Sequence, residues 1–268
     1  MLMHAPGGAL YVLAHQDDEY GCIAQIRADA EAGRRVGVVY LTDGTSNVGE
    51  AVRTAESRAV LASLGVPDDD VAVLGAPLGI VCLQLPQRLD DAYRALRAFV
   101  AERGFTRPDH ITTCAWEGGN PDHDAAHLAA AKLARELGCA RIREVALYNA
   151  YRRPGPFFRV MSFCDGARVG PEAGPRLTFA GALRDALTCW RYPSQRTTWI
   201  GLFPGAVVRL MLRRRHAVRE VSAARPLGRP HRGALYYERR WRVPYATVAE
   251  LTATFYARDA VEGSAPPG

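Results

Sequence analysis

The sequence predicts an α/β sandwich built on a largely parallel sheet, on three grounds. Short apolar, β-branched runs alternate with longer amphipathic stretches through the first half of the chain. Gly33, Gly65 and Gly138 each close a stretch of helical periodicity, where a left-handed C-terminal residue favours glycine. The chain has 268 residues, 48% of them apolar, enough to bury a substantial core without disulfides.

In order, the strands are expected at Leu10–Ala14, Val36–Leu41, Val71–Leu74, Ile111–Ala115 and Val145–Ala150. Helices are expected between them at Cys22–Gly33, Glu50–Gly65, Leu85–Arg103 and His123–Gly138. Beyond Tyr151 the pattern loosens into an irregular C-terminal extension. Phe157–Phe163 reads as a strand, and Leu177–Cys189 and Tyr245–Tyr256 read as helices. Proline- and glycine-rich stretches at Ala167–Pro175 and Ala224–Gly233 read as long surface loops rather than linkers. A single domain over residues 1–261 is therefore expected, with a disordered tail at 262–268.

Charge is unevenly divided. Residues 1–150 carry 14 basic and 20 acidic groups, whereas residues 151–268 carry 20 and 8. The basic half, with Arg213-Arg214-Arg215-His216 after the apolar segment Trp199–Leu212, suits either a solvated face or peripheral contact with a lipid-linked substrate. Nearly all the basic residues are arginine, a compositional bias that argues against a nucleic-acid partner. Pro204 and Arg209 interrupt the apolar segment and make it too short to span a bilayer. The six cysteines show no CxxC pairing and read as small buried hydrophobes. With no secretory pattern at the N-terminus, a cytoplasmic location is expected.

In a parallel sheet the ligand crevice lies at the carboxyl ends of the strands. His15-Gln16-Asp17-Asp18-Glu19, Thr42-Asp43-Gly44 and Glu117–His123 are thereby expected to meet at one rim. His15 and Asp18, three residues apart as a strand opens into a loop, can turn onto a single cation, and imidazole with carboxylate suits zinc. His123 is the third candidate ligand, and Asp17 is left free as a general base. An acidic cluster after a strand also serves simply as a helix N-terminal cap.

The motifs Ala14-His15-Gln16-Asp17-Asp18-Glu19 and Glu117-Gly118-Gly119-Asn120-Pro121-Asp122-His123 resemble those of the PIG-L/LmbE-like deacetylases. The family patterns are Ala-His-Pro-Asp-Asp-Glu and Glu-Gly-Gly-His-Pro-Asp-His. Arg53-x-x-Glu56 with Leu64-Gly65 is similar to the family's second helix, and Tyr192-Pro193-Ser194-Gln195 to a feature of a bacterial subgroup. The resemblance covers the first 150 residues. It implies a Rossmann-like three-layer sandwich and a zinc-dependent de-N-acetylase acting on an N-acetylglucosamine-type glycoconjugate. It also implies His15, Asp18 and His123 as metal ligands, Asp17 as general base and Arg53 as a sugar contact, Arg53 alternatively being an exposed helix residue paired with Glu50. Asp122 and His127 are expected behind the ligands, His127 alternatively facing the core.

Two positions depart from the family. Gln16 gives up the fixed φ of proline but no reacting group. Asn120 replaces a histidine, and an amide can donate to an oxyanion but has no titratable proton near neutrality. Two other readings follow. One is a weakened metal- and sugar-binding relative. The other is a hydrolase of a longer acyl amide on a glycolipid or glycopeptide, with Trp199–Leu212 lining an acyl channel. A nucleotide-binding domain is excluded because no GxGxxG follows the first strand.

Overall fold

The computed structural model describes residues 8–45, 48–164 and 174–262. Residues 263–268 of the expected tail, most of the 167–175 stretch and Ser46-Asn47 lie outside the described residues, whereas Glu262, expected in the tail, ends a helix.

The first four apolar runs of the first half each form a strand of the sheet, and a fifth strand forms just ahead of the fifth run. β1 (Ala9–Leu13), β2 (Val36–Tyr40), β3 (Val71–Val73), β4 (His110–Cys114) and β5 (Arg141–Val145) pair in parallel in the order β3-β2-β1-β4-β5. The strands between the edges read as apolar on both faces because both faces are covered. Leu10, Val12 and Ala14 pack with the layer of α3 (Leu89–Glu102), α4 (Pro121–Glu136) and α8 (Tyr245–Glu262). Ala9, Tyr11 and Leu13 face the opposite layer with Ile26 of α1 (Ile23–Glu31) and Leu61 of α2 (Glu50–Ala62). The result is the expected mixed α/β sandwich.

Gly33, Gly65 and Gly138 have φ of +72, +87 and +73°, as their helix-terminal positions predict. The fifth strand lies earlier than expected, at Arg141–Val145, because the 145–150 run turns away. It forms β6 (Tyr148–Asn149), which pairs with β7 (Arg159–Val160), the only strand within Phe157–Phe163.

Beyond Tyr151 the chain is more regular than its pattern suggests. α5 (Phe179–Leu187) packs on α6 (Arg196–Arg213), and α6 continues through Pro204. β8 (Val218–Ser222) then adds antiparallel to β5, and α7 (Tyr236–Arg240) precedes α8. β8 contains Arg219 and Glu220, which mask it as a strand. Arg219 is nonetheless buried because its guanidinium pairs with the buried Glu144 of β5. Among the described residues no helix is long and apolar enough to cross a membrane.

Candidate functional site

β1 and β4 are neighbours in the sheet, yet the chain leaves them for opposite sides: β2 and β3 lie beyond β1, and β5 beyond β4. A crevice opens outside the carboxyl ends of such a pair. The loop after β1 carries His15 to Glu19, and the loop after β4 leads through Asn120 into α4. The two motifs therefore meet by topology, although about a hundred residues separate them.

His15, Asp18 and His123 are all buried, and one ligand atom from each lies within 4.8 Å of the others. Asp18 stands between the imidazoles, with Oδ1 3.0 Å from His123 Nε2 and Oδ2 3.6 Å from His15 Nδ1. The backbone N–H groups of Ala14 and His15 donate to the same Oδ2 and fix the carboxylate at the strand end. Burial opposes ionisation of Asp18, but His123 and His15 outweigh it and hold the carboxyl well below the usual range. For His15 burial again opposes charge, while Cys82, Asp122 and Asp18 hold the imidazole above its ordinary value.

Asp122 stands behind His15, its Oδ2 2.9 Å from His15 Nε2. It also accepts from the backbone N–H groups of Leu83 and Leu85. When His15 Nε2–H donates to Asp122, the Nδ1 lone pair is directed to the side of Asp18. A carboxylate behind an imidazole is a common support for a metal ligand. His127 is placed elsewhere: its Nδ1 lies 3.0 Å from the Cys114 carbonyl oxygen and 3.7 Å from Glu144. It faces the core, and burial pushes its pKa down to about 4.

Asp17 has φ 110° and ψ −15°, a left-handed conformation costly for a residue other than glycine. That strain turns its carboxylate away from Asp18 toward Arg53 Nη2, 2.9 Å distant. Burial raises its pKa to about 7; Arg53 lowers it, and Asp18 and Glu19 add to the rise. The cap function expected of the acidic cluster falls to its neighbours: Asp17 makes no side-chain cap bond, and Glu19 accepts its backbone N–H.

Arg53 corrects one expectation. It is 4% exposed and does not pair with Glu50, which accepts from Thr54 instead. Its guanidinium donates to the carbonyls of Gln16 and Gly44 and so ties the loops after β1 and β2 together. It still reaches the cavity wall.

Asn120 caps α4, its Oδ1 accepting the N–H of Asp122 at 2.8 Å, with Pro121 at the first helical position. The Asn120 side-chain amide is left for the cavity, which Tyr148 also lines. Glu117 holds the far side of this loop by accepting from Leu147 N, Tyr148 N and Asn149 Nδ2. Its carboxyl is pushed up to about 7 by burial.

His15, Asp17, Asp18, Arg53, Asn120 and His123 all line one cavity of about 220 Å³. The rest of the wall is mainly apolar: Trp199 and Leu202 belong to the segment that the longer-acyl reading placed there, whereas Leu147, Val160, Met161, Trp241 and Tyr148 were missed by sequence reasoning. Tyr192-Pro193-Ser194-Gln195 pointed there as well. Gln195 lines the cavity, and Tyr192 donates to Glu19 at 2.9 Å.

Residues 10–134 match the family model described as PIG-L: GlcNAc-PI de-N-acetylase. No curated protein matches the chain in sequence. Among solved structures, a deacetylase triple mutant from the teicoplanin biosynthetic pathway superposes with a TM-score of 0.55 at 17% identity, over 76% of this chain and 89% of that one. The zinc-inhibited form of teicoplanin deacetylase gives 0.55 at 17% identity, over 75% and 90%. N,N'-diacetylchitobiose deacetylase from Pyrococcus horikoshii, complexed with an inhibitor, gives 0.52 at 16% identity, over 81% and 84%. At these identities the likeness carries the fold.

Proposed function

From the premise that residues 10–134 are a PIG-L-family domain, we propose that this chain is a divalent-cation-dependent hydrolase. It removes the N-acetyl group from an N-acetylglucosamine-type sugar and releases acetate. The observation that carries this reading is the convergence of His15, Asp18 and His123 within 4.8 Å, beside Asp17 and Asn120 in the same cavity. Residues 1–261 act as one catalytic unit, since β8 completes the sheet that β1 begins.

Two imidazoles and a carboxylate suit zinc, and three protein ligands leave room for reacting groups. A cation held there supplies a Lewis acid for the amide carbonyl and eases ionisation of water. Asp17, directed by Arg53, takes the proton of the attacking water. The Asn120 amide donates to the oxyanion as the carbonyl carbon becomes tetrahedral. Because asparagine carries no exchangeable acid near neutrality, the proton that Asp17 accepted is the one returned to nitrogen. The C–N bond then breaks, giving acetate and the free amino sugar. The cavity is smaller than the sites of drug-sized ligands. It suits one sugar ring with its acetamide, and leaves the aglycone at the mouth.

The test is acetate release from N-acetylglucosamine, its nucleotide and lipid conjugates, and glycopeptide intermediates. Each is assayed after chelation and again as zinc is titrated back, since the related teicoplanin enzyme is described in a zinc-inhibited form. Release is expected only with metal. If a metal-loaded chain released acetate from none of them, the chain would instead be a metal- and sugar-binding relative.

The apolar wall of Val160, Met161, Trp199 and Leu202 favours a second reading, hydrolysis of a longer acyl amide. Faster turnover of a long-chain amide than of the matched acetamide would put that reading first.

A further inference from the structure

Helix α6 is apolar on both sides. Trp199, Ala206 and Leu210 are buried against the fold, and Trp199 and Leu202 also line the candidate cavity. On the other side Ile200, Pro204, Val208 and Leu212 recur at every fourth position, one above another on a helix. Ile200 is 63% exposed, Val208 58% and Leu212 77%. None of the exposed positions from Thr197 to Leu212 carries a charge. The neighbouring α5 adds exposed Phe179, Leu183 and Leu187, followed by Trp190. A helix lying on a core ordinarily turns polar residues to water. A row of exposed apolar side chains on one helix, such as that of α6, marks contact with a second apolar phase.

The charges around the face identify that phase. Residues 176–216 contain eight arginines and one acid, Asp185. Asp185 is buried and paired with Arg27 and His216. Arg196 opens α6 and Arg213 and Arg214 end it, all three exposed, with exposed Arg176, Arg184 and Arg191 around α5. Two copies meeting through this face about a twofold axis would bring the same arginine-rich rim against itself. An anionic lipid surface satisfies both the apolar stripe and the rim.

We propose that the α5–α6 hairpin is a docking surface for an anionic lipid bilayer. The stripe of α6 sits at the boundary between headgroups and acyl chains, and the arginines lie on the lipid phosphates. The chain lies on the membrane and does not span it. Since the inner side of α6 lines the cavity, docking brings the reaction site within about one helix diameter, about 10 Å, of the bilayer. On the deacetylase reading, amino sugars held in that bilayer are the favoured substrate class; docking itself does not depend on that reading.

The test is co-sedimentation of the full chain with vesicles of phosphatidylcholine alone or mixed equally with phosphatidylglycerol. Binding to the mixed vesicles only is expected, weakening as salt is raised. The pair Arg213→Gln and Arg214→Gln is expected to weaken it about fivefold per arginine. The pair Ile200→Ser and Leu212→Ser is expected to weaken it more than about tenfold, as two apolar side chains leave the interface. All four side chains are exposed, so both variants are expected to unfold like the parent and to release acetate from a water-soluble N-acetylglucosaminide at the parental rate. Failure to bind mixed vesicles, or binding untouched by either pair, overturns the proposal. So does a dimer that Ile200→Ser and Leu212→Ser dissociate in a chain that ignores vesicles. A chain that binds vesicles through the hairpin but releases no acetate upholds docking and defeats only the catalytic reading.

Discussion

Asp17 and Asp18 are adjacent in sequence and differently placed, and a backbone turn makes the difference. A left-handed φ sends one carboxylate to Arg53 while the other stays between two imidazoles. Removal of His15, Asp18 or His123 by alanine is therefore expected to lose most bound zinc in elemental analysis. Asp17→Asn is expected to keep the metal and lose about 10²–10⁴ in kcat. Metal retained by His123→Ala at the parental level would sink the ligand assignment. Asn120→His supplies a group able to protonate the leaving nitrogen, and a rise in kcat at or below the lower end of that range is expected if, as proposed, Asp17 shuttles the proton. The pH–rate profile is expected to gain a descending limb near the histidine range. An inactive histidine variant beside an Asn120→Ala variant equal to the parent would remove both roles from this position. At this scale the convergence of His15, Asp18 and His123 was legible because each sits in a short motif at a strand end. Tyr148 and the N–H groups of Leu83 and Leu85 were not legible, because only the folding of separate loops brings them to Asn120 and Asp122.

Among the elements, the loop from β4 to α4 has the least freedom. At Gly119 a Cβ would overlap the carbonyl oxygen of Tyr148, so the start of β6 passes directly over the motif. Gly119→Ala is expected to displace one of the two loops, costing about 1–3 kcal/mol in chemical denaturation and most of the activity. A variant with parental stability and turnover would mean that the loops are not in register as described. β1 to β4 were legible as short apolar runs, whereas β5 was misplaced because Arg141, Arg143 and Glu144 break its apolar pattern. β8 was not legible, because a buried Arg219 reads as solvent-facing until Glu144 is seen beside it. The segment of α6 was read only as an apolar stretch that does not span a bilayer; as a helix it tolerates Pro204, which faces outward where only one backbone hydrogen bond is lost.

The molecule as a whole is fastened by buried carboxylates that join distant segments. Asp185 of α5 binds Arg27 of α1 at 2.8 Å and His216 at 3.1 Å, and Asp29 of α1 binds His110 of β4 at 2.9 Å. Burial works against ionisation in both, yet His216 and Arg27 hold Asp185, and His110 and Tyr11 hold Asp29, below the usual carboxylate range. A depressed folded-state pKa contributes stability that is complete above the unfolded value of about 3.9. That stability drains away as pH falls through the folded value. Denaturation midpoints are thus expected to fall steeply below about pH 4, measured with chelator present so that protons competing for metal ligands add no slope of their own. Asp185→Asn is expected to be less stable at neutral pH and to show a shallower acid limb. Parallel acid limbs for parent and variant would show that this pairing carries none of the pH dependence.

The antiparallel seat of β8 has a consequence for synthesis of the chain. β5 is complete by residue 145, but the strand that covers its outer edge begins at 218. Throughout that interval the nascent polypeptide presents an open row of backbone donors and acceptors, a template for any passing strand. A ribosome that stalled or terminated within it would release a product with an almost finished sheet and an adhesive margin, prone to pair edge to edge with others of its kind.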